Sequence, residues 1–199
     1  LFEGVKMPGG ATGAVDMALG NLISSFVIQK EGFSGKYGQM YVLPTHGKIP
    51  ADKVLVVGLG KNKDFSLGKL RELSSKIIQK CMKMTNAKKV VSILHGAGIG
   101  GFDEALAAQM IAEGTIIGSY SFDKYKSEKR GKKIEEFAII DTNEESCKKA
   151  KAGVKKGKIF ASAVNFARNL ANEAPQVATP THLAKTAQAI KDVDVKIYE

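Results

Sequence analysis

The sequence predicts an α/β fold, on three observations. Short, strongly apolar runs rich in Val, Ile and Leu alternate through about residue 142 with longer stretches whose apolar residues recur at helical spacing. A long helical stretch follows, from Glu144 to about Ala171. Beyond it Pro175 breaks the chain, and a capped helix with one alternating strand opens a second unit.

Taken in order, Leu1–Val5 reads as the tail of a strand already under way, so the first strand is expected to be clipped. "MPGGATG" is a loop by its Gly and Pro content. Ala14–Ile28 sets Val15, Leu19, Leu22, Ile23 and Phe26 on one side of an amphipathic helix. "QMYVLP" is a short strand, "THGKIP" a turn, and "DKVLVVGLG" a strand whose Val54–Val57 run suits burial on both faces. Ser66 caps a helix running through Leu70, Leu73 and Ile77 to about Met84. "KKVVSIL" is the next buried strand. A glycine loop leads to a helix over Asp103–Ile117, with Ala107, Met110 and Ile111 on one face. "SFDKYKSEKRGKK" is a polar connection and "IEEFAIID" another strand.

Asn143 or Thr142 caps the long helix, roughly 40 Å of rod at 1.5 Å per residue. Gly153 and Gly157 weaken it by about 1 kcal/mol each relative to alanine. Such a rod reads as a connector between domains rather than part of the first core. Thr179 is an N-cap with Pro180 at the first helical position. The helix runs to Ile190, and "VDVKIY" reads as a half-buried strand, alternating Val193, Val195 and Ile197 with Asp194 and Lys196, with no sheet of its own left to join.

The chain's 199 residues suit one domain, or one domain and part of another. The only cysteines, Cys81 and Cys147, lie far apart, which fits a reducing, cytoplasmic compartment and argues against a disulfide or zinc framework. No run of about 18 apolar residues exists, so no membrane span is expected, and no secretory leader is visible. Net charge is +10, carried by clusters at Lys124–Lys133 and Lys148–Lys158. Such a surface attracts nucleic acid or acidic partners, although the scarcity of arginine argues against sequence-specific DNA reading.

The sharpest motif lies in "SILHGAGIGGFDEA". Gly96, Gly98 and Gly101 satisfy G-x-G-x-x-G between a strand and a helix, and with Gly100 they form a candidate phosphate loop. Asp123 stands about twenty residues on, but not at the end of a second strand, where a ribose-binding acid belongs. The same glycines also simply permit a tight turn. His46, His95 and His182 are isolated from one another, and Asp141, Glu144 and Glu145 sit where acids favour a helix N-terminus. By motif alone there is no active site.

Several segments together resemble the leucyl aminopeptidase family. "GFSGKYGQMYVLP" with "ADKVLVVGLGK" resembles the paired strands of that family's N-terminal domain, and "AAQMIAEGTIIGSYSFDKYKS" its helix and aromatic segment. "NFARNLANEAPQVATPTHLAKTA", with Ala167, Arg168, Leu170, Asn172, Thr179 and Pro180 in register, resembles the opening of its catalytic domain. The resemblance implies a macro-domain-like mixed sheet flanked by helices at residues 1–142, a connector helix at 143–172, and the start of the catalytic domain at 173–199. It further implies a parent hydrolase that releases N-terminal residues from peptides with two divalent metals, Mn or Zn, as a cytoplasmic homo-hexamer. The family's metal-binding strings do not occur here, so no metal ligand or catalytic residue is expected in this chain, which alone should be inactive. Arg168 and Asn172 are expected to anchor the connector to the catalytic domain, with Phe122 and Tyr125 packing the "SFDKYKS" connection. The alternative is a macro-like binding module, holding ADP-ribose-type ligands at Gly96–Gly101 or nucleic acid on its lysines.

Overall fold

The structure, a computed structural model, describes residues 1–84, 87–97, 101–128 and 134–198. Strands β1 (Met40–Pro44) and β2 (Lys53–Val57) form an antiparallel ladder, Met40 opposite Val57. Strands β3 (Lys89–Ile93) and β4 (Glu136–Ile140) form a parallel one, Lys89 opposite Glu136. The single mixed sheet implied by the resemblance is thus present, among the described residues, as two two-stranded ladders. Leu1–Glu3 adds a fragment: Phe2 bridges Gly60 in the parallel sense, as a strand tail would.

Helices α2 (Leu67–Met82), α3 (Glu104–Gly118) and α4 (Glu144–Ala171) stack in one layer, with α3 in the middle. Two of their caps, Ser66 and Asn143, are those the sequence predicts. Ser66, Asp103 and Asn143 each accept a backbone N–H from the third residue onward. The main core joins Val57 and Leu59 to Leu70 and Leu73 of α2, Ala107 and Ile111 of α3, and Ala150 of α4. A second cluster packs Leu19, Ile23, Val27 and Phe33 on the other face of the first ladder, against Leu43 and Val56. Val56 and Val57 point to opposite sides of β2 and both are buried, as the unbroken apolar run anticipates.

Four expectations need correction. Ala14–Ile28 is not one helix: α1 spans Gly10–Ala18, and a π-helical turn occupies Ile23–Ile28. Gly20 and Asn21 between them take φ of 71° and 61°. The buried carboxylate of Asp16 holds the break, its Oδ1 accepting the N–H groups of Ile23 at 2.7 Å and Ser24 at 3.2 Å. Next, β3 is not fully buried, since Val91 on its outer face is 62% exposed. The third concerns the C-terminal segment, where α5 (Pro180–Gln188) stops short of Ile190 and "VDVKIY" forms no strand among the described residues. An alternating sequence needs a neighbouring edge, and among the described residues none pairs with it.

The fourth is the reading of the long helix as standing apart from the first core. Its first half packs on α3, and its glycines permit the approach. A Cβ at Gly153 would overlap the Ala105 carbonyl oxygen, and one at Gly157 would lie 2.6 Å from the Gln109 carbonyl oxygen. Gly114 and Gly118 of α3 meet α2 in the same way, at Arg71 and Ser75. What reads as a weakness in an isolated helix is the condition for three helices to pack backbone to backbone.

Candidate functional site

The glycine loop is a tight aromatic-lined turn where it is described. Gly96 has φ of 86°, its carbonyl accepts the Phe102 N–H at 3.0 Å, and a Cβ there would lie 2.7 Å from the Phe102 ring. Phe102 stacks on Phe65 at 5.8 Å, and Phe65 meets Phe2 edge-on at 5.5 Å. Gly101 also has positive φ, while Gly98 and Gly100 lie outside the described residues. The N-terminus of α3 already holds an acid, because Asp103 Oδ1 accepts the Leu106 N–H at 2.9 Å and Glu104 follows it. A phosphate there would meet two carboxylates.

The other candidate groups stay apart. His46 sits in a turn with φ of 51°, His95 in the turn just after β3, and His182 in the first turn of α5. Burial lowers the His95 pKa to about 4, with the positive Leu1 amino group as a second cause. Asp141 accepts the Asn143 N–H at 2.9 Å and Glu144 pairs with Lys148, so these acids serve the start of α4. Among the described residues no three His, Cys, Asp or Glu side chains gather to hold a metal ion. A groove of 620 Å³ runs between β4 and α4, walled by Phe137, Ile139 and Val154, with Lys151 and Lys158 beside them.

The densest polar arrangement is the joint between the end of α3 and the end of α4. The Arg168 guanidinium lies over the Tyr120 ring at 3.9 Å, and its Nη1 donates to the Ile117 carbonyl at 3.1 Å and to Asn165 Oδ1 at 3.4 Å. Asn172 Nδ2 donates to Tyr120 Oη at 3.1 Å and to the Arg168 carbonyl at 2.8 Å. Tyr120 Oη in turn donates to Asn169 Oδ1 at 2.9 Å. One turn further, Glu173 accepts from Lys124 Nζ at 2.6 Å and from Tyr125 Oη. Phe122 meets Tyr125 edge-on at 5.9 Å, so the aromatic connection packs as expected.

Electrostatics follow the contacts. The Lys124 and Tyr125 hydrogen bonds hold the Glu173 carboxyl below its ordinary value, and Glu173 raises both Lys124 and Tyr125. Arg168 and Asn172 stand one turn apart at the end of α4, and their partners among the described residues lie on α3, on α4 and in the connection after α3. Tyr120, Asn169 and Glu173 were missed. Only the run of aromatics in "SYSFDKY" hinted at the first of them.

Residues 1–129 match the model of the cytosol aminopeptidase family, N-terminal domain. The chain belongs to this family. Two curated cytosol aminopeptidase relatives, each named a probable cytosol aminopeptidase, are 33% identical. One, from Alkaliphilus oremlandii, matches 94% of the chain and 37% of its own length; the other, from a Sulfurihydrogenibium species, matches 100% and 39%. A mutant of tomato leucine aminopeptidase superposes with a TM-score of 0.70 at 24% identity, over 92% of the chain and 36% of its own. The bottromycin maturation enzyme BotP, in complex with Mn, gives 0.69 at 22%, over 94% and 34%. These two structures share the fold. The chain thus spans less than two-fifths of the length of these relatives. No helix among the described residues is long and apolar enough to cross a membrane.

Proposed function

We propose that this chain is the non-catalytic N-terminal region of a cytoplasmic leucyl aminopeptidase, an enzyme that releases N-terminal amino acids from peptides. In this reading residues 1–142 form a macro-like domain, 143–172 a connector, and 173–199 the beginning of a catalytic domain that carries two divalent metals, Mn or Zn. The region serves assembly and regulation within a homo-hexamer, and its first partner is its own catalytic domain.

One observation carries the reading. Just before the joint, α4 exposes Ile159, Phe160, Val164 and Phe166, and after it Leu183, Ile190, Val193 and Ile197 are exposed as well. Large apolar side chains exposed in such number mark a contact site. They lie within and on either side of the segment whose sequence resembles the entrance to the catalytic domain. The test is Phe160→Glu in the full-length polypeptide, read by sedimentation and by cleavage of a leucyl chromogenic amide. The expected result is loss of assembly with a matching fall in activity, while the 199-residue chain alone cleaves nothing. Normal assembly of the variant, or turnover by the isolated chain, would overturn the reading.

The binding-module alternative rests on the exposed lysines of α4, among them Lys151, Lys155, Lys156 and Lys158. Binding through them to nucleic acid would weaken steeply between low and moderate salt. Calorimetry with ADP-ribose addresses the glycine loop. The aromatic closure at Phe102 and the acid cap at Asp103 weigh against that ligand.

A further inference from the structure

The groove between β4 and α4 has an apolar middle and two polar ends. Phe137 and Ile139 of β4 line one side, and on the same alternation Glu135 and Asp141 stand just beyond the two ends of the strand. On the other side Cys147, Lys151, Val154 and Lys158 recur every three or four residues, which sets them in one stripe along α4. Thr115 and Ile116 of α3 complete the lining. Contacts along the helices fix which residues share an end. Cys147 Sγ donates to the Asp141 carbonyl at 3.6 Å, while Asn165, about two turns past Lys158, reaches the Ile116 carbonyl at 3.4 Å. Asp141 and Cys147 therefore close one end, and Thr115 and Lys158 stand toward the other.

Thr115 sets this groove apart from an ordinary surface furrow. The residue is 8% exposed, and its hydroxyl is buried with no hydrogen-bond partner among the described residues. Ser74 of α2 and Thr186 of α5 each donate to the carbonyl four residues back, the usual outlet for a helical hydroxyl, and Thr115 does not. A buried hydroxyl is costly to leave unpaired, and one in the lining of a groove can be served by what fills it. The charges are unequally engaged as well. Glu135 pairs with Lys88 at 3.7 Å, and Asp141 accepts the Asn143 N–H at 2.9 Å. Among the described residues the ion pairs of α4 lysines are those of Lys148 and Lys149, and Lys151 and Lys158 form none. The uncommitted charge in the groove is positive.

We propose that this groove is a binding site for a small carboxylate with an unbranched apolar chain. Its head accepts hydrogen bonds from the Thr115 hydroxyl and the Lys158 ammonium, and its chain lies over Phe137, Ile139 and Val154. The volume of 620 Å³ is that of a small-molecule site, for which about 300–1,000 Å³ is usual. A carboxylate supplies the acceptor that the Thr115 hydroxyl lacks, and its bond to a lysine is charge-assisted. The same lysines repel a cationic head.

The experiment titrates the full-length polypeptide with decanoate below its micellar range, read by calorimetry. Decylamine and decanol serve as probes with the same chain and a different head. Thr115→Val removes the hydroxyl at nearly constant shape, and Lys158→Met removes the charge at similar length. Decanoate is expected to saturate at one molecule per chain, at least 10-fold tighter than either probe. Each variant is expected to weaken it by about 10-fold. Without decanoate, Thr115→Val should melt no lower than the parent, since it loses only an unpaired hydroxyl. Absence of saturable binding would overturn the proposal, and so would a lowered melting temperature of unliganded Thr115→Val, which would mean that the hydroxyl is already partnered. Equal binding of decylamine would assign recognition to the acids, and unaltered affinity in both variants would place decanoate elsewhere; either result overturns it too.

Discussion

Arg168 shows how one residue type can be irreplaceable at a joint. Its planar cation lies over the Tyr120 ring while an edge nitrogen reaches the Ile117 carbonyl in the last turn of α3. Arg168→Ala is expected to cost about 1–3 kcal/mol in chemical denaturation, and Arg168→Lys to recover little of it, since an ammonium cannot stack and reach at once. Equal stability of the lysine variant and the parent would refute the stacking role. Glu173 adds a pH dependence whose sign is fixed by the directions of its shifts. Its lowered value contributes stability above 4.5 that is lost as the pH falls through the folded value. The raised values of Lys124 and Tyr125 contribute below 10.5 and 10.0 and are lost as the pH climbs through theirs. The difference in melting temperature between the parent and Glu173→Gln should therefore form a plateau at intermediate pH and shrink on both sides. His95 works differently. Its folded pKa is lowered to about 4, so the unfolded chain takes up a proton first as the pH falls below 6.5. Stability on the order of 3 kcal/mol should disappear between these values, and His95→Gln should flatten that part of the profile.

At the scale of elements, the glycines decide how helices meet. Alanine is the better helix former by about 1 kcal/mol, yet Gly153→Ala would drive a methyl into the Ala105 carbonyl of α3. The steric term wins, with an expected loss of about 1–3 kcal/mol in urea unfolding. Gly68→Ala in α2 is the matched control, because its nearest neighbour would be Ser66 Oγ at 3.8 Å, an ordinary contact. It should be neutral or stabilising. The break in the first helix teaches the same lesson from the other side. Periodicity alone carried a helix from Ala14 to Ile28, but a buried carboxylate can hold the N–H groups of a new turn more firmly than a continuous helix would. Asp16 looked like any polar residue on a helix, yet it is buried and its Oδ1 holds the N–H groups of Ile23 and Ser24.

At the scale of the molecule, local signals and non-local packing divide cleanly. Strands β1 to β4 and helices α2 to α4 were legible because each carries its own periodicity, punctuation and cap, and those are properties of neighbouring residues. The family was legible too, through segments such as "NFARNLANEAPQVATP" whose residue types stand in register. The candidate site was legible only in part. Arg168 and Asn172 stood out by resemblance, whereas Tyr120, Asn169 and Glu173 joined them because α3 and α4 end side by side, roughly 50 residues apart in sequence.

The sequence by itself thus determined the α/β class, the order of most elements, their caps and the family. Tertiary structure alone decided two things. It turned Gly153 and Gly157 from helix weaknesses into contact points against α3, and it buried the break at Asp16. The physical reason is common to both: a periodic pattern states what a segment can bury, not what comes to cover it.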